Sequence, residues 1–302
     1  MTSATTFTSK QIRVTLTLVK TGQTFPGTGS NQLVLLGGLD PKTNTPGLRM
    51  STLVEGAANY SNTLELRIWG MKSADMNALT TLFFGPSPTL IGDSTVLVES
   101  NDTTGWNQVF SGSITNASPQ YNDMPDVSML IQGIIGYSQG VGGTQPLSYP
   151  NGTSVAQVGQ TVAGALGLGF ANNGVSIQLP PGTYLPGTPR DQLNKLVQQG
   201  AFDYYISNGT LTLCQLYKGS SAATVSLTPQ NGLIGYPMPG VGGIEFDCYF
   251  TPAIQLAGQV RITGSDVPYA NGLWTIRTQS HQLDALLPDG KWQTHCTTTY
   301  AS

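Results

Sequence analysis

The sequence predicts a mainly β protein with a small α+β insertion, and three observations carry that reading. Apolar residues alternate with polar ones in short runs, as in Ile12, Val14 and Leu16 set against Arg13, Thr15 and Thr17, the period of a half-buried strand. The chain holds 37 Gly and 19 Pro among its 302 residues, so few stretches are long enough for helix and many are fit for turns. Helix signals with proper caps occur in the middle of the chain, between two strand-rich regions.

Taken in order, Ile12–Leu18 and Thr63–Trp69 are strands, the second with Leu64, Leu66 and Ile68 facing one way and Glu65 and Arg67 the other. Ser73 is expected to cap a helix over Ala74–Phe84 with Met76, Leu79 and Phe83 on one face. Val96 with Val98, and Val109 with Ile114, add further strands, so residues 1–120 read as a β barrel or sandwich. Met129–Tyr137 is an apolar run suited to a central strand, and Ser154 opens a helix with Val155, Val158, Val162 and Leu166 in one stripe. Asn172-Asn173-Gly174 is expected to end that helix, and Val175, Ile177 and Leu179 to alternate as a strand. Thr188 as cap, Pro189 in the first turn and Gly200 as stop frame a second helix. Tyr204–Ile206 and Leu211–Leu213 then form a hairpin around Asn208-Gly209, a type I′ pair. From Gly232 the β pattern resumes in Ile244–Phe250, Gln259–Thr263, Leu273–Thr278 and Lys291–Thr298.

This gives three parts: a β domain over 1–120, a second β domain assembled from 121–149 and 223–302, and an inserted α+β domain over 150–222. The two β regions resemble each other. Val96 and Val98 followed by Gly112-Ser113-Ile114 parallel Val260 and Ile262 followed by Trp274-Thr275-Ile276, which suggests a duplication.

Composition narrows the function classes. Lys and Arg number 13 and Asp and Glu 16, so charged residues make up 10% of the chain, far below the ~25% of ordinary soluble proteins. Between Val127 and Pro189 no charged residue occurs at all, so either much of that stretch is buried or it faces another subunit. A membrane span does not explain this, because the most apolar stretch, Val162–Phe170, is broken by three glycines and is shorter than the ~20 residues a helix needs. The net charge of −3 excludes a basic nucleic-acid footprint. Cys214, Cys248 and Cys296 are odd in number and lack ligand spacing, and the first ten residues have no apolar core. Both point to synthesis without secretion.

No catalytic, cofactor-binding or metal-ligating residue is assigned. Gly136-Tyr137-Ser138-Gln139-Gly140 matches a nucleophile elbow, but Val141-Gly142-Gly143 follows where a helix is required. His281 and His295 have no clustered ligands around them. Asp123 with Asp126, and Glu245 with Asp247, are the close acidic pairs, read as solvated or lumen-facing. Gly164–Gly169 lacks the strand-then-helix setting and the lysine of a phosphate loop. Asn-x-Ser/Thr sites at Asn59, Asn101, Asn116, Asn151 and Asn208 reflect an Asn-, Ser- and Thr-rich composition.

From Asp126 onward the sequence resembles the baseplate hub proteins of contractile-tailed bacteriophages. The residues that carry this are Ile131-Gln132-Gly133, Gly187-Thr188-Pro189-Arg190-Asp191-Gln192-Leu193, Leu233-Ile234-Gly235-Tyr236-Pro237, Phe250-Thr251-Pro252, Leu256-x-Gly258-x-Val260-x-Ile262, Asn271-Gly272-Leu273-Trp274 and His281. The resemblance implies two tube-like β barrels in one chain separated by the insertion. It also implies a homotrimeric ring with the tail tube protein above, the central spike protein below and other baseplate proteins around. Such a protein is a virion component assembled in the host cytoplasm, not an enzyme, with no membrane contact and with DNA only as transiting cargo. The alternatives are a distal tail or tail tube protein, or a tail-associated carbohydrate-binding or carbohydrate-hydrolysing β protein.

Overall fold

In a computed structural model the described residues are 10–19, 24–40, 43–80, 94–101, 105–122, 124–137, 145–220 and 223–301. They form two compact units. The first comprises the residues up to Leu53, Leu64–Gly133 and Gln282–Trp292; the second comprises Val54–Thr63, Ile134–His281 and the chain from Gln293.

The first unit contains β1 (Gln11–Thr17), β2 (Gln32–Gly37), most of β3 (Arg49–Ala57), β4 (Thr63–Trp69), α1 (Ser73–Leu79), β5 (Thr95–Asn101), β6 (Trp106–Gln120) and β7 (Ser128–Ile134). Its strands lie in the order β3-β4-β7-β6-β5-β1-β2. Alternation works as expected: Ile12, Val14, Leu16, Leu66, Ile68, Val96, Val98 and Ile131 point inward and are almost wholly shielded from solvent. On the other face Arg13 clamps Glu99 across the β1–β5 ladder through Nε at 2.7 Å and Nη2 at 2.8 Å. The same guanidinium lies 4.4 Å from the centre of the Trp106 ring.

Helix α1 begins one residue earlier than expected. Lys72 occupies the cap position without a side-chain bond, so Ser73 is the first helical residue and not the cap. The helix is described to Leu79, and Phe83 lies outside the described residues. Strand β7, placed by the sequence with the C-terminal strands, belongs instead to the first unit. Seven residues separate it from β6, and Thr115 Oγ1 donates to the Gln132 carbonyl at 3.2 Å. Closing so short a connection costs little entropy.

The second unit contains β8 (Leu147–Tyr149), β9 (Thr153–Ser154), α2 (Val155–Ala165), β10 (Gly169–Asn173), β11 (Gln178–Leu179), β12 (Thr183–Leu185), α3 (Pro189–Gln199), β13 (Phe202–Ser207) and β14 (Thr210–Gln215). These make up separate small sheets, β10-β14-β13, β11-β9 and β12-β8. Ser154 caps α2 by accepting from Gln157 N, and Thr188 caps α3 in a reciprocal box with Asp191. Asn208 and Gly209 have φ of 49° and 72°, the two positive values a type I′ hairpin needs. The expected helix end at Asn172–Gly174 is corrected: α2 stops at Ala165, and Gly169–Asn173 pairs in parallel with β14. Strand structure in Val175–Leu179 is confined to Gln178–Leu179.

The remaining strands are β15 (Val225–Leu227), β16 (Leu233–Gly240), β17 (Gly243–Tyr249), β18 (Gln259–Ile262), β19 (Gly272–Ala285) and β20 (Trp292–Tyr300). Their order is β16-β17-β20-β19, with β18 on β19 and β15 on β18. Matching β1 to β15 and β3 through β7 to β16 through β20 turns the order β3-β4-β7-β6-β5-β1 into β16-β17-β20-β19-β18-β15. The registers agree as well: Val96 sits opposite Gly112 as Val260 sits opposite Trp274. The match has one difference of sense, since β1 is antiparallel to β5 whereas β15 is parallel to β18.

The expectation of two closed barrels is not met. Among the described residues neither the order β3-β4-β7-β6-β5-β1-β2 nor the order β16-β17-β20-β19-β18-β15 pairs its first strand with its last, as a closed barrel must.

Candidate functional site

The second unit's sheet has two chemically distinct faces. Ile244, Phe246 and Cys248 of β17 and Cys296 of β20 join Leu233, Val260, Ile262, Trp274 and Ile276 in one apolar core. The intervening residues Glu245, Asp247 and Tyr249 point the other way. Opposite them on β20 stand Thr297, His295 and Gln293, and Thr297 Oγ1 lies 2.6 Å from Thr278 Oγ1 of β19. The result is a half-exposed polar face. It carries a cleft of about 390 Å³ whose lining includes Glu55, Tyr60, Thr278, Ser280 and His295.

The two histidines fall on opposite faces. His295 Nδ1 is 2.9 Å from Asp247 Oδ1, with both side chains more than two-fifths exposed, so the pair is a solvated contact worth at most about 1 kcal/mol. His281 is buried, bonded through Nδ1 to Thr294 Oγ1 at 2.8 Å and edge-on to Phe250 at 5.1 Å. Desolvation pushes its pKa down to about 4, which keeps the ring neutral. The acidic pair Glu245 and Asp247 shares a strand face as expected. Asp126 forms an exposed ion pair with Arg49 at 2.7 Å; Asp123 and Ser138 lie outside the described residues.

Gly164–Gly169 spans the C-terminal end of α2, with Gly167 at φ 68°. Phosphate cradles need the N-terminal end, where backbone N–H groups point outward. All three cysteines are buried and free. The Cys296 thiol is held well above its ordinary value by its hydrogen bond to Cys248 and by burial. No group of potential metal ligands occurs among the described residues, and no helix there is long and apolar enough to cross a membrane.

Sequence reasoning missed a buried polar junction. Asp203, 5% exposed in the apolar strand β13, meets Arg277 Nη2 of β19 at 2.9 Å and accepts from Asn59 Nδ2 at 2.8 Å. Asn59, at φ 65° in the β3–β4 turn, accepts from Tyr204 N through Oδ1 at 2.9 Å. The Tyr204 hydroxyl donates to the Asn59 carbonyl at 2.7 Å and contacts Asn194 Oδ1 of α3 at 2.9 Å. One signal was available: a lone aspartate inside Phe202-Asp203-Tyr204-Tyr205-Ile206 requires a partner. Its partners come from residues more than 70 positions away in either direction, which local patterns do not identify.

These arrangements hold strands and a module in place and present polar, lightly charged surfaces. Comparison with known proteins finds the same fold in several solved structures. The 43 kDa tail protein of prophage MuSo2 from Shewanella oneidensis superposes with TM-score 0.63 at 10% identity, over 97% of this chain and 98% of that one. The Escherichia coli c3393 protein is described as a type VI secretion component with structural similarity to the T4 tail proteins gp27 and gp5. It gives TM-score 0.59 at 11% identity over 84% of this chain and 74% of that one. A tail protein of Neisseria meningitidis MC58 gives 0.56 at 9% identity, over 84% and 96%. No curated protein matches the sequence. The model of the family described as baseplate hub gp41 matches residues 95–286. That match spans more than half the chain, including all of β5 to β18, so this protein belongs to the baseplate hub gp41 family of phage tail structural proteins.

Proposed function

We propose that this chain is the hub component that joins the tail tube to the central spike as a homotrimeric ring in a contractile tail, without catalysis of its own. The observation that carries the reading is the repeated strand order, β3-β4-β7-β6-β5-β1 and β16-β17-β20-β19-β18-β15. A chain that presents the same six-strand pattern twice supplies six equivalent positions from three copies, which suits a sixfold tube on one side and a threefold spike on the other. The low charge supports it, since surfaces covered by neighbours cannot keep unpaired charges cheaply. In this reading the pattern that ends with β7 serves as first tube domain, the pattern from β15 to β20 as second tube domain, and 150–222 as outward insertion. The half-exposed face with Glu245 and Asp247 lines the lumen through which DNA transits.

The test is the stoichiometry of assembled baseplates. Imaging with this chain labelled should show threefold symmetry and a mass three times its 31.9 kDa. Six copies per ring would overturn the reading.

A further inference from the structure

The two edge strands are built differently. In the second unit β16 carries Pro237 and Pro239, which lack the N–H groups an added strand would need. In the first unit β2, Gln32-Leu33-Val34-Leu35-Leu36-Gly37, has neither proline nor charge. Its outer edge is occupied only in part. Leu48 N donates to the Leu36 carbonyl and Gly47 N to the Gly38 carbonyl, each at 2.8 Å. Gly47 is required there, because a Cβ would collide with the Leu36 carbonyl. Since backbone groups two residues apart point the same way, the N–H and C=O of Val34 also face away from β1, and no bond to them is formed among the described residues.

Beside this open stretch lies a groove of about 350 Å³, walled by Leu33, Leu35, Leu48 and Met71 and reaching Lys72 and Asp75. Val34 and Leu36 are 55% and 44% exposed. Asp75, although only 5% exposed, has an oxygen, Oδ1, without any hydrogen-bond donor. We infer that the groove receives an extended segment of a different protein, with apolar residues at alternating positions and a basic residue that reaches Asp75. The segment adds backbone bonds at Val34 where the Pro46–Leu48 stretch leaves off. A second copy fits poorly: its β16 lacks the donors, and β2 pairing with β2 gives a twofold dimer that a threefold ring does not accommodate. The exclusion of a β2–β2 dimer by the threefold ring and the expectation that the donor is another tail component rest on the proposed function; the groove's chemistry does not.

The probes are two acetylated octapeptides of alternating valine and threonine, one with arginine at its first position and one with arginine at its last, each also made with glutamine in place of arginine, titrated into the full chain by calorimetry with amide hydrogen exchange. One of the two arginine peptides should bind and slow exchange at Val34. Val34→Pro should weaken it at least tenfold at unchanged circular dichroism. Leu36→Lys, which alters a half-exposed side chain, should weaken it as well if Val34→Pro disturbs folding. Asp75→Asn should remove the preference for arginine over glutamine at the peptide end. Binding without protection at Val34, or equal binding to both groove variants, would overturn the inference. Self-association of the chain that Leu36→Lys abolishes would also do so, by making a second copy the occupant. The copy number of the ring is read separately, so its failure is distinguishable from this one.

Discussion

At the residue scale, two buried polar side chains show how the same cost is met in different ways. Asp203 meets donors from Arg277 and Asn59 at hydrogen-bond distance. His281 instead stays neutral and bonds Thr294. Its ring has a pKa near 4 in the folded chain and about 6.5 when unfolded. The unfolded state therefore takes up a proton first as the pH falls. The stability due to the neutral ring is complete above about pH 6.5 and declines as the pH falls toward 4, by about 3 kcal/mol over the window. Denaturant unfolding at pH 7 and pH 4.5 should show this loss, and His281→Gln should flatten it. An unchanged slope in the variant would assign the acid sensitivity to other groups.

At the element scale, legibility followed locality. Strands β1, β4, β17 and β20 were readable because one face meets the core and the other does not, and α3 because its cap and stop are adjacent in sequence. Strand β10 was not. Gly169-Phe170-Ala171-Asn172-Asn173 has no alternation, and it is a strand only because it lies parallel to β14, about 40 residues later. The candidate site was legible only in its Glu245 and Asp247 pair. Its cleft and the Asp203 junction depend on strands brought together across the chain. Glycine is a poor helix former, yet Gly159 in α2 has a definite task. A Cβ there would stand 2.9 Å from both Leu213 Cδ1 and Phe170 Cε2, so the absent side chain lets α2 rest on β14 and β10. Gly159→Val should overpack this contact and cost about 2 kcal/mol, more than any helix-propensity gain over glycine, which is at most about 0.5 kcal/mol for a β-branched residue. Thermal unfolding that shows no loss would mean that α2 shifts freely on its sheet.

At the scale of the whole molecule, the scarcity of charge has a consequence for how copies hold together. With 13 basic and 16 acidic residues in 302, a ring interface has few ion pairs to contribute. Association through such surfaces depends on apolar burial, which moderate salt leaves nearly untouched, whereas exposed charge pairs are screened beyond about 10 Å at 0.1 M. The dissociation constant of the proposed trimer should thus change less than about tenfold between 50 mM and 500 mM sodium chloride, as measured by sedimentation equilibrium over a range of concentrations. A larger weakening would locate the association in the sparse charged residues, among them Arg49 with Asp126 and His295 with Asp247. Exchanging the signs at Arg49 and Asp126 together should then leave assembly intact, while changing either alone should break it. Under the apolar reading both single changes are tolerated, because that pair is already solvated within one chain.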